Sequence, residues 1–114
     1  MGFDELLAAE RAATRRRITA LTRRVDGIVE ASEWSSNDDE HDPEGVTVAV
    51  ERAQAQALLA QAKEDLAELD LAGERLRAGA YGRCERCGGD IAAERLEFLP
   101  AARLCITCAN RRRR

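Results

Sequence analysis

The four cysteines of this chain have the spacing of a metal site. Cys84, Cys87, Cys105 and Cys108 follow the pattern C-x2-C-x17-C-x2-C and are the only cysteines among 114 residues. Each C-x2-C pair can place two thiolates on one side of a tight turn, and Gly88 after the first pair supplies the backbone freedom that such a turn needs. Two turns facing each other present four sulfurs at tetrahedral corners, the arrangement that Zn2+ takes in a closed structural site.

Three other uses of four cysteines fit this sequence less well. Disulfides need an oxidising compartment, and the N-terminus is acidic and amphipathic, without the apolar core of a secretory signal. A thioredoxin-like redox pair needs a βαβ context, which the sequence does not show. An iron–sulfur cluster also uses four cysteines, but two symmetric C-x2-C pairs across a short loop favour zinc. We therefore predict one structural Zn2+.

Composition restricts the rest of the chain to helices. Apolar content comes mainly from Ala, Leu and Val, with abundant Arg and Glu and only four aromatic residues. No run of about 18 apolar residues exists, so we expect no membrane span and a cytoplasmic location. A zinc site with four protein ligands has no open position for substrate, and the sequence shows neither a nucleophile–base set nor a glycine-rich phosphate loop. We do not expect an enzyme.

Two segments carry the heptad spacing of a coiled coil. The first covers residues 3 to about 34 and the second residues 46 to about 78. The segment 35–45 between them is rich in Ser, Asn, Asp, Pro and Gly, which are loop-forming residues. The predicted seam of the first segment is Leu7, Thr14, Ile18, Leu21, Val25 and Ile28, and that of the second is Leu59, Ala62, Leu66, Leu69, Gly73 and Leu76.

Two helices of equal length joined by a short loop are expected to fold back on each other. We predict an all-α dominated protein. Its residues 1–79 form a long antiparallel two-helix coiled-coil hairpin, and its residues 80–114 form a small four-cysteine zinc finger with a basic tail. A dimeric coiled coil has the same periodicity and stays open as an alternative. The apolar cluster expected in the finger consists of Ile91, Leu96, Phe98, Leu99, Leu104 and Ile106.

Charge is distributed unevenly along the chain. Between Val25 and Glu51 lie nine acidic residues and no Lys or Arg, although the net charge is only −3. Most of these acidic residues fall in or beside the predicted tip of the hairpin. Arginines lie on the flanks of the first helix, where we expect solvation and ion pairs within the hairpin, and in the C-terminal tail. The first-helix set is Arg11, Arg15, Arg16, Arg17, Arg23 and Arg24.

The cysteine segment resembles a known family. Tyr81-Gly82-Arg83-Cys84-Glu85-Arg86-Cys87-Gly88, then Ile91, Arg95-Leu96-Glu97, Pro100 and Leu104-Cys105-Ile106-x-Cys108, is similar to the finger signature of the DksA/TraR transcription factors. The resemblance implies a protein that binds bacterial RNA polymerase, inserts its hairpin into the secondary channel and alters the stability of open promoter complexes. It also implies that acidic tip residues act near the active centre. Here these are Asp42 and Glu44, with Asp38, Asp39 and Glu40 as steering charge.

The sequence departs from the family pattern in two places. The best-known tip of the family reads Asp-x-x-Asp-x-Ala, whereas this chain reads Asp42-Pro43-Glu44-Gly45-Val46-Thr47. Gly45 thus replaces the second aspartate, and we expect polymerase binding with an altered regulatory effect. Leu99 and Ala109 occupy two positions at which some members carry basic residues for the alarmone guanosine tetraphosphate. This argues against alarmone dependence.

Two functions compete most strongly, and a purely structural coiled-coil adaptor is a third, weaker interpretation. The first is a transcription regulator that binds RNA polymerase directly, with no specific DNA site and no membrane partner. The alternative is a zinc-ribbon nucleic-acid-binding module with the coiled coil as its dimerisation arm. Such a module needs a basic and usually aromatic surface. Tyr81 and Phe98 are instead expected in the finger core, and the acidic residues Glu85, Asp90, Glu94 and Glu97 alternate with the arginines of the finger.

Overall fold

The computed structural model of the chain describes residues 2–35 and 43–112, with side chains over residues 2–30 and 45–111. These ranges contain no strand, and one isolated antiparallel bridge joins Arg83 to Asp90. None of the described helices is long and apolar enough to cross a membrane. The helices are α1 (Phe3–Ser35), α2 (Pro43–Arg77), α3 (Ala93–Phe98) and α4 (Ile106–Arg112).

The long helices α1 and α2 form a hairpin, as predicted. Ion pairs join Arg11 to Asp70 and Arg17 to Asp65, so residue numbers rise along α1 while those of their partners fall along α2. The two helices are therefore antiparallel. Together with the cysteines gathered at the C-terminal end, this arrangement confirms the predicted fold class.

The second helix begins earlier than the sequence suggests. Its first residue is Pro43 and not Val46, so Gly45 lies inside the helix. Proline lacks an amide hydrogen and has a fixed φ, which suits the first helical position because the N–H there has no acceptor within the helix. Glu44 thus lies in the first turn of α2. The predicted tip residues Asp38, Asp39, Glu40 and Asp42 lie outside the described residues.

A glycine in the left-handed region follows the end of α2. Gly79 has a φ of +77°, a conformation that side chains with a Cβ rarely adopt. The amide of Gly79 donates to the Leu76 carbonyl, and the amide of Ala80 donates to the Arg75 carbonyl at 2.8 Å. These bonds satisfy carbonyls that the last turn would otherwise leave without donors. They also direct the chain into the finger.

The chain divides into two compact units. The first, here the finger unit, consists of residues 1–13 and 66–114, and the second, here the hairpin unit, consists of residues 14–65. Each unit has its own buried residues.

The hairpin unit is built on the predicted heptad seam. Thr14 is the most buried residue on α1, at 1% exposure, and Ile18 and Leu21 are half-buried, as are Val25 and Ile28 farther along the same stripe. On the part of α2 that belongs to this unit, the buried residues are Ala55 and Ala62, with Leu59 half-buried between them. The seam is confirmed and extends to Ala55, one heptad before Ala62. Small residues at these positions let the helices approach closely.

Arg11 lies on the seam and not on a flank of α1, contrary to prediction. It follows Leu7 by four residues, and its Nη2 lies 2.8 Å from Oδ1 of Asp70. Although the two atoms are this close, Asp70 Oδ1 accepts no well-directed hydrogen bond, and Arg11 Nε is buried without a partner among the described residues. The position is compatible with arginine because its aliphatic stem can pack while the guanidinium remains partly exposed.

Candidate metal centre

The structure brings the four cysteines together. Their Sγ atoms all lie within 4.8 Å of one another, and Cys87 and Cys105 are 3.9 Å apart at sulfur. Zinc–sulfur bonds of about 2.3 Å in a tetrahedron place the sulfurs about 3.8 Å from each other. None of the four is in a disulfide. The sulfurs therefore fit one Zn2+ in a closed site, and the prediction of one structural zinc ion is confirmed.

The first cysteine pair is held by a glycine turn. Gly88 has a φ of +73°, and its amide donates to the Cys84 carbonyl at 2.9 Å. The Cys84 amide donates in turn to the Gly89 carbonyl at 2.7 Å, and the Gly89 amide points to the Cys87 sulfur at 3.4 Å. A side chain at position 88 would strain this backbone. The turn therefore positions both sulfurs on one side and directs an amide hydrogen at one of them.

The second cysteine pair is held differently. Cys105 directly precedes α4, and Cys108 lies in the first turn of that helix. The Cys108 amide approaches the Cys105 sulfur at 3.5 Å, and the Ala109 amide donates to the Cys105 carbonyl at 2.9 Å. The two C-x2-C pairs thus have the same spacing but different backbone conformations: the first pair lies in a glycine turn and the second at the start of a helix.

The thiols of the site have unequal acidities. Hydrogen bonds from the backbone amides of Cys87 and Cys105 lower the pKa of Cys84 to about 6. The backbone amide of Cys108 lowers the pKa of Cys105. Burial raises the pKa of Cys108 to about 12, and its hydrogen bonds with the other sulfurs add to the rise. Before metal binds, the Cys84 thiol is therefore the more acidic of the two, whereas Cys108 holds its proton more tightly.

Zinc affinity is expected to fall as the pH falls. Zinc binds thiolates, so binding must release the Cys108 proton at every pH below about 12. Below pH 6 or so it must also release the Cys84 proton, so the logarithm of affinity should fall more steeply with pH there. Chelator competition across about pH 5–8 would measure this slope. An affinity that does not change with pH would contradict the proton release.

A small apolar cluster lies beneath the cysteines. Cys84 and Cys108 are buried together with Ile91 and Leu96, and Leu104 packs against them half-exposed. A second cluster contains Leu7, Leu69 and Ala72 from the ends of the long helices. Tyr81 packs against both clusters.

Tyr81 connects the finger to the long helices. Its ring lies 5.5 Å from the ring of Phe3, at an interplanar angle of 51°. Its hydroxyl donates to the Pro100 carbonyl at 2.7 Å, and burial raises its pKa. The prediction that Tyr81 belongs to the core is therefore confirmed.

Three of the predicted finger core residues are exposed instead. Phe98 is 85% exposed, and Leu99 and Ile106 are more than half exposed. Phe98 follows the buried Leu96 by two residues on α3, which turns its side chain by about 200° to the far face. Ile106 precedes the buried Cys108 by two residues on α4, and the same rotation applies. The apolar composition of the segment correctly predicts a core. Which of its side chains are buried depends on the rotation of each short helix about its own axis.

Polar contacts that the sequence does not reveal attach the finger to α2. Arg103 pairs with Glu68 at 3.3 Å, and Arg75 pairs with Glu85 at 3.7 Å. Arg75 also donates to the Ala101 carbonyl at 3.4 Å. No local spacing signals these pairs, because their members lie 10 to 35 positions apart in the chain. The pairs are partly exposed, so each contributes about 1 kcal/mol or less.

Sequence comparisons place this segment among known zinc fingers. Residues 79–114 match the family model described as the prokaryotic dksA/traR C4-type zinc finger. An uncharacterized protein of Aquifex aeolicus is 47% identical over 45 residues, which are 40% of this chain and 31% of that protein. General stress protein 16O of Bacillus subtilis is 34% identical over 77 residues, 68% of this chain and 47% of that protein. The chain thus spans less than half the length of these two curated relatives.

A solved structure resembles the chain over nearly its whole length. The structure of transcription factor DksA2 from Pseudomonas aeruginosa covers 97% of this chain and 86% of its own chain, with a TM-score of 0.57 and 28% sequence identity. The likeness includes both the long helices and the cysteine segment.

Proposed function

Because the chain belongs to the DksA/TraR family of C4-type zinc-finger proteins, we propose that it is a transcription regulator that binds bacterial RNA polymerase directly. The observation that carries the proposal is the likeness to transcription factor DksA2 over 97% of the chain, hairpin and finger alike. A protein contact with polymerase requires no specific DNA site, and the proposed place of action is the cytoplasm.

The hairpin is the part proposed to enter the secondary channel of the polymerase. Its helices of 33 and 35 residues are each about 50 Å long at 1.5 Å per residue, long and thin enough to reach into a channel. A channel that admits anionic nucleotides is expected to have positive surfaces, which would attract an acidic tip. We assign the acting role to Asp42 and Glu44, with Asp38, Asp39 and Glu40 as steering charge.

The zinc ion has a structural role in this proposal. Cys84, Cys87, Cys105 and Cys108 would hold it, and no position remains open for substrate. Bound there, zinc would cross-link the glycine turn to the start of α4. The finger would thus be fixed beside the ends of α1 and α2 that contribute Leu7 and Leu69.

Guanosine tetraphosphate is not part of the proposed mechanism. The two positions at which some family members carry basic residues hold Leu99 and Ala109, and Leu99 is about half exposed. Neither side chain offers a positive charge or a hydrogen-bond donor to a phosphate group.

Neutralising the tip should separate binding from regulation. The double variant Asp42→Asn/Glu44→Gln is expected to bind core polymerase within about threefold of wild type, since an individual ion pair with the channel would contribute little, but to lose its effect on open-complex lifetime. The matched control is Asp26→Asn/Glu51→Gln, which removes two exposed acidic charges outside the tip. Binding and open-complex lifetime would be measured for all three proteins. A tip variant as active as wild type would contradict the assigned role.

The nucleic-acid-binding alternative has one observation in its favour. Phe98 is exposed, and the finger also exposes Arg83, Arg86 and Arg111. In proteins that bind single-stranded nucleic acids, bases stack on exposed aromatic rings and phosphates form ion pairs with basic side chains. If the wild-type protein binds single strands in a salt-sensitive manner but not polymerase, and Phe98→Ala removes that binding, the alternative replaces the first proposal.

A further inference from the structure

Helix α1 carries arginines that form no ion pair with any side chain that the structure describes. Residues 11–25 contain six arginines and no acidic residue. Two of them are paired within the hairpin, Arg11 with Asp70 and Arg17 with Asp65. The other four are exposed and form no ion pair with any side chain that the structure describes. These four, here the arginine band, are Arg15, Arg16, Arg23 and Arg24.

The arginine band lies within the hairpin unit, and its centre faces away from the seam. Arg16 precedes Ile18 by two residues and Arg23 follows Leu21 by two, so each is rotated by about 200° from a seam residue. Arg16 and Arg23 are two helical turns apart on one face, about 10.5 Å along the axis, and the whole band spans about 14 Å. Arg16 and Arg23, the centre of the band, therefore face away from α2, whereas Arg15 and Arg24 lie on the flanks of α1, about 100° from Thr14 and Val25.

A discrete acidic surface fits the arginine band better than a nucleic acid does. Guanidinium groups pair with both carboxylates and phosphates. A continuous polyanion would, however, run past the band into the acidic residues Glu10 and Asp26 that bound it in the sequence. Single strands also need aromatic side chains for stacking, and no aromatic residue lies between Phe3 and Trp34. Carboxylates clustered within about 14 Å on a folded protein match the length of the band.

We propose that the arginine band is a second contact surface of the hairpin, which docks on an acidic patch of the partner protein. This inference rests on the proposed function, so the patch would belong to RNA polymerase. Arg24 and Arg15 lie about 17 Å and 30 Å along α1 from its last residue, Ser35. The patch is therefore expected that far back from the end of α1 that leads into the acidic tip. Opposite charges at the two contacts would fix how deeply the hairpin inserts.

The test is a salt titration of binding to core polymerase. Arg16→Gln/Arg23→Gln removes two charges from the centre of the band, and Arg52→Gln/Lys63→Gln removes two exposed charges from α2 as a matched control. Glutamine has nearly the helix propensity of arginine and neither target arginine has a described partner, so both variants should melt at the wild-type temperature. We expect the band variant to bind about tenfold more weakly at about 0.05 M salt, with the difference vanishing near 0.5 M. The control should bind within about twofold of wild type.

Each other outcome overturns the inference in a distinguishable way. If wild type does not bind polymerase, both the proposed function and the inference fail. If wild type and both variants bind equally, the proposed function stands and the arginine band has no role in docking. If the band variant keeps its polymerase affinity but loses affinity for a labelled single strand, the band is a phosphate site. If sedimentation shows that wild type self-associates and the band variant does not, the partner is a second copy of the chain.

Discussion

Replacing Cys87 with serine is expected to abolish zinc binding and unfold the finger while α1 and α2 of the hairpin unit remain helical. Serine is not a zinc ligand at neutral pH, and three thiolates cannot complete the closed tetrahedron. Structural zinc supplies on the order of 10 kcal/mol to the folding of small fingers. In the cluster beneath the cysteines, the buried residues besides the sulfur ligands are Ile91 and Leu96, which provide too little apolar surface to replace that contribution.

The choice of Cys87 makes this experiment specific to the metal. Its side chain is the most exposed of the four, so the substitution removes a ligand without opening a cavity. Zinc stoichiometry and an amide correlation spectrum, read at Ile91 and Leu96, would be measured side by side. The control is Arg86→Ser, which introduces the same residue at an exposed neighbour and should leave both readouts at wild-type values. A Cys87→Ser protein with one bound zinc and a dispersed finger spectrum would show that the four-thiolate site is wrong.

The seam of the hairpin could be predicted because apolar residues recur along it at heptad spacing. Leu21, Val25 and Ile28 repeat at heptad spacing, and their burial follows directly from that phase. Ala55 gives no such signal, because alanine favours any helix position whether or not it is buried. Charge alone predicts that Arg11 is exposed on a flank of α1. Its heptad phase, four residues after Leu7, instead puts it on the seam, where Asp70 of the closed hairpin pairs with it.

The metal site could be predicted in full, whereas its surroundings could not. Four cysteines at a fixed spacing leave few chemical choices, so residue type alone identified the cluster. The exposure of Phe98 depends on the phase of a six-residue helix, which is too short for any periodic signal. The contacts of Arg75 and Arg103 depend on how the finger packs against α2. The roles of Asp42 and Glu44 stay predictions.

The two apolar clusters of the finger unit share Tyr81. Zinc binding is therefore expected to affect packing at the ends of α1 and α2 as well as in the finger. The ring contacts the cluster below the cysteines and the cluster formed by Leu7, Leu69 and Ala72. Loss of zinc would therefore remove packing from the ends of both long helices. Conversely, when Leu7, Leu69 and Ala72 are well packed, they form a surface against which the finger can fold. The stability of the finger unit is thus expected to depend on both clusters.

Leu69→Ala is expected to destabilise the zinc-loaded protein by about 2–5 kcal/mol, the usual range for removing a buried leucine. Leu69 is 6% exposed and packs with Leu7 and Ala72, where Leu76, Tyr81 and Ala101 complete the cluster. Its truncation leaves a cavity at the junction of α1, α2 and the finger, and the well-packed neighbours can fill it only in part. Urea unfolding at constant zinc concentration, followed by helical circular dichroism, would measure the change in free energy.

Leu71→Ala on the same helix is the matched control. Leu71 is 42% exposed, and the substitution removes the same atoms two residues away. Because it creates no enclosed cavity and alanine has the higher helix propensity, we expect a change below about 1 kcal/mol. The difference between the two variants therefore isolates burial from residue type and from helix propensity. Equal losses of stability in both variants would contradict the packing at the junction, since a leucine that faces solvent cannot contribute as much as one that closes a core.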